Sequence, residues 1–459
     1  MIFGTDILKY REAIVKDLAD LVAVPSVRGE AGEGKPFGRE PARALCMILD
    51  KAEKMGFAVK NVDNYAGHAE YGSGEDMAAV TAHVDVVPAG EGWDTDPFVL
   101  TRKGNLYFGR GAADDKGAAV VALYCLKAMK DAGIKGNRRL RVIFGAGEET
   151  GMEDLEYYFR KEEMPSMGFT PDSDYGICNR EKGILRLDFL SDGKSEGIVK
   201  KFVAGAVYNA VPDLAEAVLN CSAQTADALQ KAAVAAEGSF AFESVPEGIR
   251  VLSKGKASHA MQPQEGFNAA AALIRLLSSA LSREELGGFF SFLDQSVGFH
   301  DDGSGIGVQQ SDAESGPLTL NLGILRVENG SARAGIDIRY PVTSDGGKIF
   351  GEIKRRAEES GFSAALLEDL KPLYLPGESR LISILRDSYA GIMGKPAELY
   401  ATGGGTYARA MKGNAVAFGP LFPDEPDRRL HNTNENIDMD RFMVHAQICL
   451  EAMYRIFTA

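Results

Sequence analysis

The sequence predicts an α/β protein: a mixed, mostly parallel sheet flanked by helices forms one domain, and a second, α+β domain is inserted into it. Three observations predict this. Apolar strand signals alternate with helix signals through residues 1–186, the pattern of helices laid over a largely parallel sheet. From 187 to 375 the rhythm changes to longer, antiparallel-type strands mixed with helices. From 376 to 459 the α/β rhythm returns. A chain of 459 residues exceeds what one compact core holds, so two or three domains are expected.

The elements follow in order. Residues 6–24 place Ile7, Ile14, Leu18 and Leu21 on one helical face. A second helix runs from about Glu40 to Lys54, with Gly56 as its stop. Strand signals come at 57–62, 67–71 and 78–87, and "FVLTRKGNLYFGRG" reads as a hairpin. A helix follows Asp115 through "GAAVVALYCLKAMKDAG", "RRLRVIFGAGEE" is a strand ending in two acids, "MEDLEYYFRKEE" is a short helix and "DYGICN" another strand. In the insert, "GIRVLSKGKASHA" and "LTLNLGILRVENGSARAGIDIRYPV" read as antiparallel strands, and "NAAAALIRLLSSAL" and "GKIFGEIKRRAEESG" as helices. The Gly- and Ser-rich stretch 301–316 reads as a flexible loop. The last helix is "DRFMVHAQICLEAMYRIF".

Composition narrows the function. The formal net charge of −14 disfavours a nucleic-acid or anionic-membrane surface. The five cysteines are scattered and form no C-x-x-C, which fits neither a disulfide framework nor a zinc ribbon and suits a reducing cytoplasm. The N-terminus carries charge throughout, unlike a signal peptide, and no apolar run approaches the roughly 20 residues of a transmembrane helix.

Polar residues collect at predicted strand ends, where α/β sheets place their chemistry. "TAHVDVVPAG" ends an apolar strand in His83 and Asp85. "GRGAADDKG" sets Asp114 and Asp115 at a strand-to-helix turn, "GAGEETG" sets Glu148 and Glu149 after a strand, and "PDSD" holds Asp172 and Asp174. "RLHNTNENI" adds His431. Each has a plain structural explanation alone: adjacent acids before a helix complement its macrodipole, and a single His is most often a core or surface residue. Together they are harder to dismiss. The chain has six histidines, and two fall among these motifs. Carboxylates converging on one cleft repel each other unless a cation neutralises them, and mixed His and carboxylate donors suit zinc or another divalent first-row metal.

"HVDVVP", "GRGAADDKG", "GEETG" and "HNTNENI", in this order, resemble the dizinc exopeptidases that include carboxypeptidase G, aminoacylase and succinyl-diaminopimelate desuccinylase. "EEMPSMGFTPDSDYGICNREKG", "GKASHAMQPQEGFNAA", "DIRYP" and "GGGTYAR" are similar to the PepV-type, or Xaa-His, dipeptidases within that family, and the resemblance spans nearly the whole chain. It implies two Zn2+ per chain, with Co2+ or Mn2+ as substitutes. His83 and Asp172 would hold one ion, Glu149 and His431 the other, and Asp114 would bridge them. The family varies between Asp and Glu at the Asp172 position, and Asp174 lies two residues on. Asp85 would orient His83, and a cis peptide is expected between Asp114 and Asp115.

The resemblance also implies a mechanism. Glu148 is left as general base once Glu149 is a ligand. The inserted domain becomes a lid that supplies His259, from "KASHA", to the developing oxyanion. Asn209, from "VYNAVP", and Arg339, from "DIRYP", would bind substrate, with Arg339 suited to a bidentate carboxylate contact. Gly404, Gly405 and Thr406 in "TGGGTYARAM" lack the Lys-Ser/Thr pair of a phosphate loop; their backbone would approach a substrate carboxylate. The long insert resembles that of members that complete the site alone, so a cytoplasmic monomer acting on small peptides is expected, with no nucleic-acid or membrane partner. The leading function is a zinc dipeptidase acting on dipeptides with a free C-terminal carboxylate. The alternative on the same fold is an amidohydrolase of N-acyl amino acids. A non-catalytic binding relative is disfavoured because Glu148, the five ligands and His259 occur together.

Overall fold

The computed structural model describes residues 2–191, 197–328 and 330–459. The expected 187–375 segment takes in residues 192–196 and Asn329, which lie outside that description. The chain divides into two compact units. The first comprises Met1–Asn179, Leu373–Tyr400 and Gly405–Ala459; the second comprises Arg180–Pro372 and Ala401–Gly404.

The first unit is built on a mixed sheet. Its strand order is Ala58–Val62, Ala66–Gly72, Arg139–Gly145, Met77–His83, Met167–Thr170, Ala415–Ala417, Ile177–Glu181 and Leu373–Tyr374. Met77–His83 pairs parallel with both neighbours, and Ala415–Ala417 pairs parallel with Met167–Thr170; the flanking pairs are antiparallel. Met77–His83 is buried along its whole length, as a central parallel strand with both faces covered must be. Helix Lys116–Asp131 is almost entirely buried, which its run of Ala, Val and Leu permits. The terminal helix Met439–Thr458 starts at an Asp438 N-cap, whose carboxylate accepts the amides of Asp440 and Arg441. Glu451 of that helix accepts the Phe3 and Gly4 amides at the opposite end of the sequence. Ile14, Leu18, Val80, Leu126, Val142 and Met453 belong to the one apolar core these elements share.

Residues 6–24 are not one continuous helix. Gly4–Tyr10 is 3-10, and the α-helix spans Arg11–Val22. The strand expected to reach residue 87 stops at His83, so Asp85 lies just past its end. The second helix, Arg39–Lys54, does end before Gly56, which takes φ +78°.

The second unit is an eight-stranded antiparallel sheet. Its order is Ser239–Val245, Gly248–Lys254, Leu214–Leu219, Val199–Ala204, Thr319–Glu328, Ser331–Tyr340, Gly183–Ser191 and Ser363–Leu370. Helices Ala269–Ala280 and Gly346–Glu359 bury Leu273, Leu277, Ile349 and Ile353 in its core. Stretch 301–316 is a loop, as expected, apart from a short pairing of Ser311–Asp312 with Gly316–Pro317. Two of its side chains, Ile306 and Val308, are buried in that core.

Candidate metal centre

The candidate centre of the first unit is assembled from the carboxyl ends of three parallel-sheet strands and two loops. His83 is the last residue of Met77–His83 and is 1% exposed. Its Nε2 lies 3.0 Å from Asp114 Oδ1. The other oxygen, Asp114 Oδ2, is 2.9 Å from His431 Nε2, and that nitrogen is 3.1 Å from Glu149 Oε2. One carboxylate therefore faces two imidazoles with its two oxygens. His83, Asp114 and Glu149 have donor atoms within 4.8 Å of one another, and so do His83, Glu148 and Asp172.

Local structure explains how the sequence brings them there. Asp85 accepts the Glu148 amide on Oδ1 at 3.2 Å and the Glu149 amide on Oδ2 at 3.1 Å. Its backbone oxygen lies 3.0 Å from His83 Nδ1, with Oδ1 at 3.5 Å. Asp85 thus orients the imidazole through its backbone carbonyl while its carboxylate ties down the turn with both glutamates, a wider task than holding His83 alone. Asp115 accepts the His83 amide on Oδ2, and its buried Oδ1 has no hydrogen-bond partner. The peptide between Asp114 and Asp115 is cis. Gly145 ends its strand where a Cβ would run into the Tyr407 hydroxyl and Asp154. Tyr407 donates to Asp154, which also accepts the Gly147 amide, and the Tyr407 ring stands edge-on to His83 at 6.1 Å. On the opposite side, Arg429, His431 and Asn434 all adopt left-handed φ, at 60°, 56° and 63°. This strained path delivers His431, whose side chain stays 57% exposed.

The electrostatics describe a charge deficit. Burial, then Asp172, pushes the Glu148 carboxyl well up. Burial and Asp114 do the same to Asp172 and raise Glu149; burial and Asp172 raise Asp115. Burial would raise Asp114 too, but hydrogen bonds from His431 and His83 hold it well below the usual range. His431 is pushed up to about 11 by Asp114 and Glu149. Burial works against a charged His83, yet Asp114 and Asp85 raise its pKa well above the ordinary value. Among the described residues, these acids make ion pairs with no lysine or arginine. The nearest candidates are committed: Lys116 gives its ammonium to the Leu21 and Val24 carbonyls, and Arg110 pairs with Glu435. A site that must borrow protons onto imidazoles and carboxyls fits divalent cations, and its all-nitrogen-and-oxygen donor set fits zinc, cobalt or manganese.

The second unit gathers the remaining predicted residues among themselves. The Asn209 carbonyl accepts the Ala260 amide, and Ala210 bridges to His259. The exposed His259 accepts the Met261 amide on Nδ1 at 3.1 Å. Gly403 packs on Met261 and offers its carbonyl to Arg339 Nη1 at 2.7 Å. Arg339 is 2% exposed, and its Nε and Nη2 are held by the two oxygens of Asp337 at 2.5 and 3.0 Å. Gly404 gives its amide to Thr402 Oγ1. In the first unit, Gly405 leads into Thr406, whose hydroxyl caps the 3-10 turn Tyr407–Met411. Sequence reasoning passed over Arg110, Asp154, Tyr407 and Glu435. All four lie inside stretches the sequence singles out, Arg110 in "GRGAADDKG", Asp154 in "MEDLEYYFRKEE", Tyr407 in "GGGTYAR" and Glu435 in "HNTNENI", but nothing local gave them a role.

The model of "Peptidase family M20/M25/M40" matches residues 79–455, a span from the strand that carries His83 to the terminal helix. The chain belongs to this peptidase family. As a member it is a hydrolase, a metallopeptidase. Two relatives of this M20 peptidase carry the name "putative dipeptidase". YtjP of Bacillus subtilis (strain 168) is 36% identical over 99% of the chain and 100% of its own length. SAB1611c of Staphylococcus aureus (strain bovine RF122 / ET3-1) is 33% identical, with 98% of each covered. Human carnosine dipeptidase 1 shares the fold of this M20 peptidase at TM-score 0.62 and 15% identity, over 99% of this chain and 98% of that one. Aminoacylhistidine dipeptidase from Vibrio alginolyticus does so at 0.59 and 16%, over 96% of each. No helix among the described residues is long and apolar enough to cross a membrane.

Proposed function

We propose that this M20 peptidase is a dizinc dipeptidase that cleaves dipeptides carrying a free C-terminal carboxylate. The observation that carries the reading is the meeting of His83, Asp114, Glu149, His431, Glu148 and Asp172 in one cluster that, among the described residues, pairs with no lysine or arginine. His83 and Asp172 would hold one ion, Glu149 and His431 the second, with Asp114 between them. Such a pair supplies Lewis acidity, polarising the scissile carbonyl and acidifying a water.

The chain's own groups do the rest. Glu148 takes the proton from the attacking water and passes it to the leaving amine nitrogen. In the metal-free protein, burial and then Asp172 raise its pKa well above the ordinary carboxyl value. Asp85 keeps the Glu148 carboxylate aimed by holding its amide. His259 hydrogen-bonds the developing oxyanion, and Asn209 holds substrate beside it. Arg339 anchors the carboxylate. Its Nε–Nη2 edge is filled by Asp337, so the peptide would take the remaining Nη hydrogens. The backbone of Gly404, Gly405 and Thr406 would approach the same carboxylate. The second unit acts as a lid, and the enzyme works as a cytoplasmic monomer on small peptides.

The deciding comparison takes one dipeptide, its C-terminal amide, the matching tri- and tetrapeptides, and the N-acetyl amino acid. A hydrogen bond to a charged group contributes about 1.5–3 kcal/mol, so the amide should lose at least about tenfold in kcat/KM. Equal values for acid and amide would remove the carboxylate anchor. Efficient tetrapeptide cleavage would remove the lid, and preference for the N-acetyl amino acid would replace the dipeptidase with an amidohydrolase.

A further inference from the structure

We propose that Glu435 and Arg110 are positioning residues that set the spacing of the metal ligands before any metal binds. Glu435 is fully buried, and both its oxygens are spent on the turn that carries Asp114. Oε1 accepts the Ala113 amide at 2.9 Å and the Asp114 amide at 3.2 Å. Oε2 accepts the Gly111 amide at 3.1 Å and Arg110 Nη1 at 2.7 Å. Nothing is left over for a metal, so Glu435 is not a ligand. It fixes the backbone from which the Asp114 carboxylate meets both His83 and His431.

Arg110 extends the connection to two further segments. Its Nη2 donates to the Asn432 carbonyl at 3.0 Å, one residue past His431. The same nitrogen reaches the Pro88 and Ala89 carbonyls at 3.3 Å, in the chain that continues from His83 and Asp85. The 83–89 segment, the 110–114 turn and the 431–435 loop therefore converge on one buried ion pair. Each carries a ligand, and residues about 320 apart in sequence are held in register by it. Partners that orient ligands typically change metal affinity by about 10- to 100-fold. A pair that only held the fold together would lower stability and leave the affinity of the folded protein unchanged.

The inference rests on the metal reading of the site, and the test separates the two. Full-length wild type, Glu435→Gln and Arg110→Lys are stripped of metal. Each is then titrated with Zn2+ against a competing chelator of known affinity, and the Tm of each metal-free protein is recorded. Arg428→Lys is the control: Arg428 lies in the same loop, and its side chain hydrogen-bonds Glu425 and Asn436 rather than the 110–114 turn. The expected result is about 10- to 100-fold weaker Zn2+ binding in Glu435→Gln and Arg110→Lys, with Arg428→Lys at wild-type affinity. If Glu435→Gln does not fold, Arg110→Lys decides alone. Affinity within about twofold of wild type in a folded variant overturns the inference, as does an equal loss in Arg428→Lys. So does failure of both variants to fold, which assigns the pair to the fold. A wild type that takes up no Zn2+ refutes the metal reading itself.

Discussion

Replacing Glu148 by Gln keeps the side-chain shape and deletes the proton acceptor. The geometry gives this one change three separable outcomes, because Glu148 shares a 4.8 Å donor group with His83 and Asp172 and is also the free glutamate of the turn. As general base it contributes about 100- to 10,000-fold, or roughly 3–5 kcal/mol of transition-state stabilisation. kcat should fall by that factor, with KM little changed. The neutral amide also removes repulsion that Asp172 and Glu149 impose on a buried carboxylate, so the metal-free variant should melt no lower than wild type. The assay pairs steady-state dipeptide hydrolysis with metal content per chain and metal-free Tm. Two equivalents of metal with near-normal kcat would refute Glu148 as the base. Loss of one equivalent would make it a ligand in place of Glu149 or Asp172.

The metal-free protein should lose stability as pH rises. Glu148, Glu149, Asp172, Asp115, His83 and His431 all have folded pKa values above their ordinary ones, so each contributes stability that is full below its unfolded pKa and lost as pH climbs through the folded value. Asp114 and Lys116 have the opposite sign. The Asp114 window lies below the usual carboxylate range. Lys116, lowered to about 7 by burial, offsets part of the loss above that pH as one group against six. Chelated protein should therefore melt lower at about pH 9 than at about pH 6, and Zn2+ should flatten that slope; an equal slope with and without metal would contradict it. Chelation should abolish hydrolysis while the apolar core keeps the protein folded, and Zn2+, Co2+ or Mn2+ should restore it; full activity with metal below detection would refute the metal requirement. His259→Ala should cut kcat by about 100- to 1,000-fold with KM nearly unchanged; a rise in KM alone would make it a ground-state binding residue.

The candidate ligands were legible because metal chemistry needs particular residue types near strand ends: His83 ends an apolar strand, Glu149 follows another, and Asp114 lies just before an apolar helix. Their supports were not. Asp154 sits in a charged helix as a surface acid would, and only the fold turns it inward to Gly147 and Tyr407. Glu435 and Arg110 pair across more than 300 residues, a proximity that no local pattern encodes. The rhythm of strands and helices gave the two-part layout, because burial on one face or two writes a different periodicity. In stretch 301–316 the glycines and serines mark the loop, while the burial of Ile306 and Val308 within it is not written in that composition.

Ala415–Ala417 lies inside its sheet, paired to Met167–Thr170 on one side and to Ile177–Glu181 on the other. It is made only after the whole of Arg180–Pro372. The nascent sheet therefore carries an interior gap until the second unit's main segment has been synthesised. His431 follows a few residues later. A translating ribosome therefore holds a chain whose clustered acids are already made while His431 is still missing, so the cluster cannot assemble before that sheet closes.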